Sequence, residues 1–181
     1  MKRFALSVFC LAAAFPGISQ DYKVKVNPNL GKSFSYDQFP FPEGVKVYDM
    51  DKKPLFLEPD QLTLIQVWST CCGAEPEVWS RVMELGKTYK DRGLKTISIN
   101  FENGTDMREQ HRLITEFFTE RDQPEHFFLD GLGYVIDLLK VPGFPTYYLV
   151  SEDKMVVFRT NGKDEEGLTL LEAEIQSRVS R

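Results

Sequence analysis

Apolar and polar positions change rhythm several times along the chain, and each rhythm predicts an element. Val45–Asp49, VKVYD, alternates; DMDKKP turns; Leu55–Leu57 follows. That pattern predicts a hairpin. Leu62–Trp68, LTLIQVW, is almost continuously apolar over the length of a strand, as in strands covered on both faces of a sheet. After Pro76, Val78, Val82, Leu85 and Tyr89 fall at helical spacing, and Asp91–Gly93 stops the helix. Leu94–Phe101 is a second buried-type strand, and Asn103–Gly104 a turn. Met107, Gln110, Ile114, Phe117 and Phe118 form a stripe that predicts a helix over Thr105–Arg121. His126–Asp130 is a third strand and Tyr134–Lys140 a short helix. TYYLV and MVVFRT, on either side of SEDK, make an antiparallel hairpin. Leu168, Leu171, Ile175 and Val179 give a last amphipathic helix. A leading hairpin followed by β–α–β–α–β–α–β–β–α argues for an α/β fold, a sheet flanked by helices.

The first residues follow a different rule. Lys2 and Arg3 precede an apolar stretch, Phe4–Phe15, too short to span a bilayer, and Gly17 and Ser19 are small residues placed for cleavage before Gln20. Residues 1–19 therefore read as a secretory signal peptide. A lipoprotein signal built on Cys10 is the alternative, against which Phe9 stands where a small residue is favoured. No other apolar run is long enough to cross a membrane, so no span is expected in the mature chain, and its place is periplasmic or secreted. Residues 20–44, rich in proline and turn residues, read as a loosely structured arm, with a short strand possible at Tyr22–Val26.

Charge narrows the partners. A net charge of −5 with no basic tract excludes nucleic-acid binding, which needs Lys and Arg gathered on one face. Of the three cysteines, Cys10 leaves with the signal peptide. Cys71 and Cys72 remain, in an oxidising setting. Adjacent cysteines make no long-range staple, and two ligands alone make no zinc site. His111 and His126 lack acidic or cysteine partners at ligand spacing, so no metal and no cofactor are expected. Asn103-Gly104-Thr105 fits a glycosylation sequon, a pattern that is common by chance.

The candidate chemistry lies in VWSTCCGAEP, Val67–Pro76, where the cysteine pair joins a buried strand to a helix. From here the sequence resembles the thioredoxin superfamily, in particular exported TlpA/ResA-like thiol–disulfide oxidoreductases, over residues 45–181. Three segments carry the resemblance: the strand ending in Trp68 with Cys72 leading into a helix; YKDRGLKTISINFE, Tyr89–Glu102; and VPGFPTYYLV, Val141–Val150, similar to the family's G-x-P-T segment. The resemblance implies a thioredoxin-like fold with a central mixed sheet and an N-terminal hairpin extension. It sets Cys72 on the family's attacking cysteine and makes Pro145 a cis proline. With Phe144, Thr146 and Trp68, itself a core or site-wall residue, that proline would line the substrate site, its backbone edge pairing with an extended substrate strand.

The chain also departs from the family. The resolving cysteine of C-x-x-C falls at Glu75, whose charge disfavours a nearby thiolate. The buried acid of many thioredoxins falls at Gln66, and the acid that TlpA-like proteins carry after the motif falls at Val78. If Pro76 opens the helix, its positive end lies about a turn from Cys72, where the dipole's effect has faded. Cys71 offers a replacement. Neighbouring cysteines can close an eight-membered disulfide ring, which is easily reduced, so Cys71 can resolve a mixed disulfide on Cys72. Its bland alternative is a small buried hydrophobe.

Two functions from different classes compete. One is an atypical exported thiol–disulfide oxidoreductase, with exported protein clients and an electron-donating redox partner. The other is a non-catalytic thioredoxin-fold module binding peptides or proteins at the Pro145 edge. A thiol peroxidase is weaker: Ile65 falls where the peroxiredoxin pattern needs proline.

Overall fold

The computed structural model describes residues 34–72, 76–162 and 164–179, with Glu77 and Val78 described in their backbone alone. The expected signal peptide, the strand expected at Tyr22–Val26 and Glu75 lie outside the described residues.

Among the described residues the strands are β1 (Phe34–Ser35), β2 (Phe39–Pro40), β3 (Lys46–Tyr48), β4 (Pro54–Phe56), β5 (Thr63–Trp68), β6 (Lys95–Asn100), β7 (Phe127–Leu129), β8 (Thr146–Val150) and β9 (Met155–Asn161). The helices are α1 (Pro76–Tyr89), α2 (Met107–Phe117), α3 (Tyr134–Leu139) and α4 (Glu165–Arg178). One mixed sheet runs β1-β9-β8-β5-β6-β7-β3-β4, with β2 also on β9. β5, β6 and β7 are parallel; β8 lies antiparallel to β5, and β3 antiparallel to β7.

The sheet's period of two sorts the core. On one face, Leu64 of β5 and Tyr147 and Leu149 of β8 meet Val82 and Leu85 of α1 and Leu168, Leu171 and Ile175 of α4. On the other, Ile65, Val67, Ile97, Ile99, Tyr148 and Val150 meet Val135 and Leu139 of α3. Beyond α4, on the first face, Trp68, Trp79, Ile114, Phe127 and Leu129 form a third cluster under α2. β5 is buried at every position, which is why its sequence runs apolar without alternation.

Local signals explain the boundaries. Gly93 closes the turn after α1 at φ 94°, a left-handed conformation that a side chain would strain. The Asp106 carboxylate accepts the Glu109 N–H at 2.8 Å and caps α2. α2 is shorter than its stripe predicts. It stops at Phe117 because Phe118 turns back, and both rings pack around Trp79. The described part of the arm is also better ordered than its composition suggests. Phe34–Ser35 and Phe39–Pro40 pair with β9 and close its outer edge, while Phe34 and Tyr36 pack on the Phe158 ring.

Candidate functional site

β5 delivers the cysteines. Its last residue, Trp68, is followed by a four-residue turn in which the Cys72 N–H donates to the Ser69 carbonyl at 3.0 Å and the Ser69 N–H to the Cys72 carbonyl at 3.5 Å. Cys71 and Cys72 are joined to each other as a disulfide. Cys71 is exposed and Cys72 half-buried, so the exposed, bonded Cys71 is no buried hydrophobe. Among the described residues, α1 runs from Pro76.

The turn is anchored on a buried acid that sequence reasoning missed. Glu102, 8% exposed, stands just past β6. Its Oε1 accepts the Thr70 N–H at 2.7 Å and the Asn100 side-chain amide at 2.8 Å. Its Oε2 accepts the Ser69 hydroxyl at 2.9 Å. The same Ser69 oxygen lies 3.4 Å from the Cys71 sulfur. The Asn100 side-chain carbonyl in turn accepts from Gln110 of α2 at 3.0 Å, and Thr105 donates to the Glu102 carbonyl at 2.9 Å. The parallel register of β5 on β6, Trp68 opposite Asn100, brings these groups together. The Glu102 side chain, just past β6, reaches to the turn, and nothing local in FEN marks it.

Below the turn, the α1-facing side of the strands carries a polar line. The Trp68 indole N–H donates to the Ser98 hydroxyl at 2.9 Å, that hydroxyl to Gln66 Oε1 at 3.2 Å, and the Gln66 amide to the Tyr147 hydroxyl at 3.3 Å. Gln66, expected to modulate the site, is 1% exposed and acts within this core network. Trp68, expected against the substrate, is fully buried, its ring 4.9 Å from Trp79 and 4.8 Å from Phe117. It supports the turn from beneath and has no surface open to solvent. Alternation with Leu64 and Gln66 points it into the core.

The neighbouring loop comes from the other side of the sheet centre. β8 pairs with β5 with Thr146 opposite Val67, so Pro145 and Phe144 lie at the same end of the sheet as the cysteine turn. The Phe144–Pro145 peptide bond is cis. The Pro145 carbonyl accepts the Gly162 N–H at 2.9 Å. Thr146, 1% exposed, donates to the Gly143 carbonyl at 2.6 Å, so it shapes the loop from within. Phe144 is half-buried, its ring 6.1 Å from that of Phe101.

One more acid lies at this end. Asp130, fully buried after β7, accepts the Val135 and Ile136 N–H groups of α3 on Oδ2, at 3.0 and 3.1 Å, and its Oδ1 has no partner among the described residues. Burial pushes its pKa up from 3.8 to about 6, against the pull of those N–H groups.

No family profile matches the sequence, and no curated protein does. Solved structures do match. A DsbF homologue from Corynebacterium diphtheriae aligns at a TM-score of 0.63 and 14% identity, over 83% of this chain and 96% of the other. A secreted Mycobacterium tuberculosis disulfide oxidoreductase homologous to E. coli DsbE aligns at 0.58 and 12%, over 73% and 94%. A thiol:disulfide interchange protein from Bacteroides sp. aligns at 0.58 and 16%, over 77% and 88%. At such identities the likeness is one of architecture, and it agrees with the strand order and helix placement described above: the chain has a thioredoxin-like fold.

Proposed function

We propose that this protein is an exported thiol–disulfide oxidoreductase whose working pair is Cys71–Cys72, acting on disulfides of exported proteins. The observation that carries the reading is a bonded cysteine pair, Cys71 exposed and Cys72 half-buried, at the end of the central strand of a thioredoxin-like fold. In the reductive direction the Cys72 thiolate attacks a client disulfide, and one client sulfur leaves with the electron pair. The Cys71 thiolate then attacks Cys72, closes the Cys71–Cys72 bond and releases the second client thiol. A dithiol partner reopens the pair. Cys71 thus takes the part of the thiol that Glu75 does not supply, and the Phe144–Pro145 edge offers backbone groups to an extended client.

Insulin reduction by dithiothreitol tests it. The wild type accelerates precipitation of the insulin chains, Cys72→Ser abolishes the effect, and Cys71→Ser stalls as a mixed disulfide detectable by mass. Glu75→Cys restores the usual spacing and raises the rate. A wild type no faster than dithiothreitol alone, with nothing trapped by Cys71→Ser, contradicts the reading.

The cis Phe144–Pro145 bond beside the cysteine turn also supports a second reading, a peptide-binding module. Exposed Leu132 and Tyr134 would then add apolar contact. Binding of unfolded exported proteins that survives Cys71→Ser/Cys72→Ser supports this module.

A further inference from the structure

Ser69 has one hydroxyl hydrogen and two acceptors, the Glu102 carboxylate at 2.9 Å and the Cys71 sulfur at 3.4 Å. An ionised carboxylate only accepts, so Ser69 is the donor in that contact. With the disulfide closed, the sulfur is a weak acceptor and the charge-assisted bond to Glu102 wins. Once the disulfide opens, Cys71 can carry a full negative charge, and two anions compete for one hydrogen. Oε1 keeps its bonds to Thr70 and Asn100. Oε2 has only Ser69.

We propose that the Ser69 hydroxyl is a hydrogen-bond shuttle between Glu102 and Cys71, and that Glu102, a positioning residue, sets the pH at which Cys71 becomes a thiolate. The proposal rests on the redox reading above. A dithiol reductant, R(SH)2, attacks Cys72 through one thiolate. The S–S bond breaks and Cys71 leaves with the electron pair. The second reductant thiolate displaces Cys72, giving the disulfide of R, and the two protons of the reductant end on Cys71 and Cys72. Ser69 turns to the Cys71 sulfur as its charge appears. It turns back to Glu102 when the pair closes.

Among the described residues, no cation is paired with Glu102. Asn100 from β6 and Gln110 from α2 are neutral. Asp106 at the start of α2, and Asp130 after β7 with its N–H on the Asn100 carbonyl, are further acids. Removing the Glu102 charge therefore favours the Cys71 thiolate, whereas removing the Ser69 hydroxyl disfavours it.

The test reads sulfur protonation, not turnover. The full chain is reduced with a phosphine and alkylated with iodoacetamide from pH 5 to 10, and the label on Cys71 is assigned by fragment mass spectra. The midpoint of the rate profile falls by about one pH unit in Glu102→Gln and rises in Ser69→Ala, the size expected of one neighbouring charge or hydrogen bond. Ser69→Thr, which keeps a hydroxyl, returns the wild-type midpoint. Midpoints that stay put, or that move in the same direction in both variants, overturn the shuttle. If Glu102→Gln does not fold, Ser69→Ala against Ser69→Thr decides alone: equal midpoints overturn it. A protein that titrates in this way but reduces no client keeps the shuttle and loses the oxidoreductase reading.

Discussion

The indole N–H of Trp68 donates to the hydroxyl of Ser98 at 2.9 Å in the closed interior beneath the cysteine turn. Ser98 passes the bond on to Gln66, so one hydroxyl satisfies two buried partners. Ser98→Ala leaves both without it. A buried polar group stripped of its partner costs about 1–3 kcal/mol, and a loss in that range is expected in urea unfolding. Gln66→Leu/Ser98→Ala, which removes acceptor and donor together, should lose less than the sum of the single changes. Strict additivity would mean the network is not coupled.

Asp130 gives a pH dependence with a definite sign. Its pKa is raised in the folded protein, so the folded state holds the proton more tightly than the unfolded chain. The stabilisation is complete below about 3.8, the ordinary value, and is lost as pH rises towards about 6. A shift of that size corresponds to roughly 2–3 kcal/mol. Asp130→Asn cannot ionise and keeps an oxygen for the Val135 and Ile136 N–H groups. The variant should match wild type near pH 4 and exceed it by most of that amount at pH 7. Equal stability of the two at every pH would refute the assignment.

Gly167 sits in the first turn of α4, against β9. A methyl group there would stand 2.0 Å from the Thr160 hydroxyl oxygen, and Thr160 is itself fully buried. Gly167→Ala is expected to destabilise by about 1–3 kcal/mol through overpacking, despite alanine's better helix propensity. Adding Thr160→Ala should recover part of the loss, measured by thermal unfolding. A single substitution that stabilises would show that the helix can move away.

Much of this architecture is legible in the sequence because the sheet is covered on both faces. β5 and β6 read as apolar runs, and α1, α2 and α4 show their stripes in the order of residues alone. The arm is less legible. Its prolines and turn residues interrupt any period, and Phe34–Ser35 becomes a strand only because β9 offers an open edge. At the site, the cysteine turn stands out by composition, whereas Glu102 does not. It is one of 27 acidic residues, and its bond to Thr70 spans 32 positions. Only the β5–β6 register, a tertiary fact, makes it a neighbour. Trp68, open as core or site wall from the sequence, is core. An aromatic ring at a strand end before cysteines suggests a substrate wall, but counting by twos from Leu64 buries it.

The central claim is that Cys71–Cys72 opens and closes within the folded protein. Equilibration in glutathione buffers of graded potential, acid quenching, alkylation and mass analysis test it directly. The account predicts one two-electron transition, with both sulfurs alkylated at the reducing end, neither at the oxidising end, and an unchanged circular dichroism spectrum throughout. A pair that stays closed until the chain unfolds, or two thiols that stay free in every buffer, would contradict it.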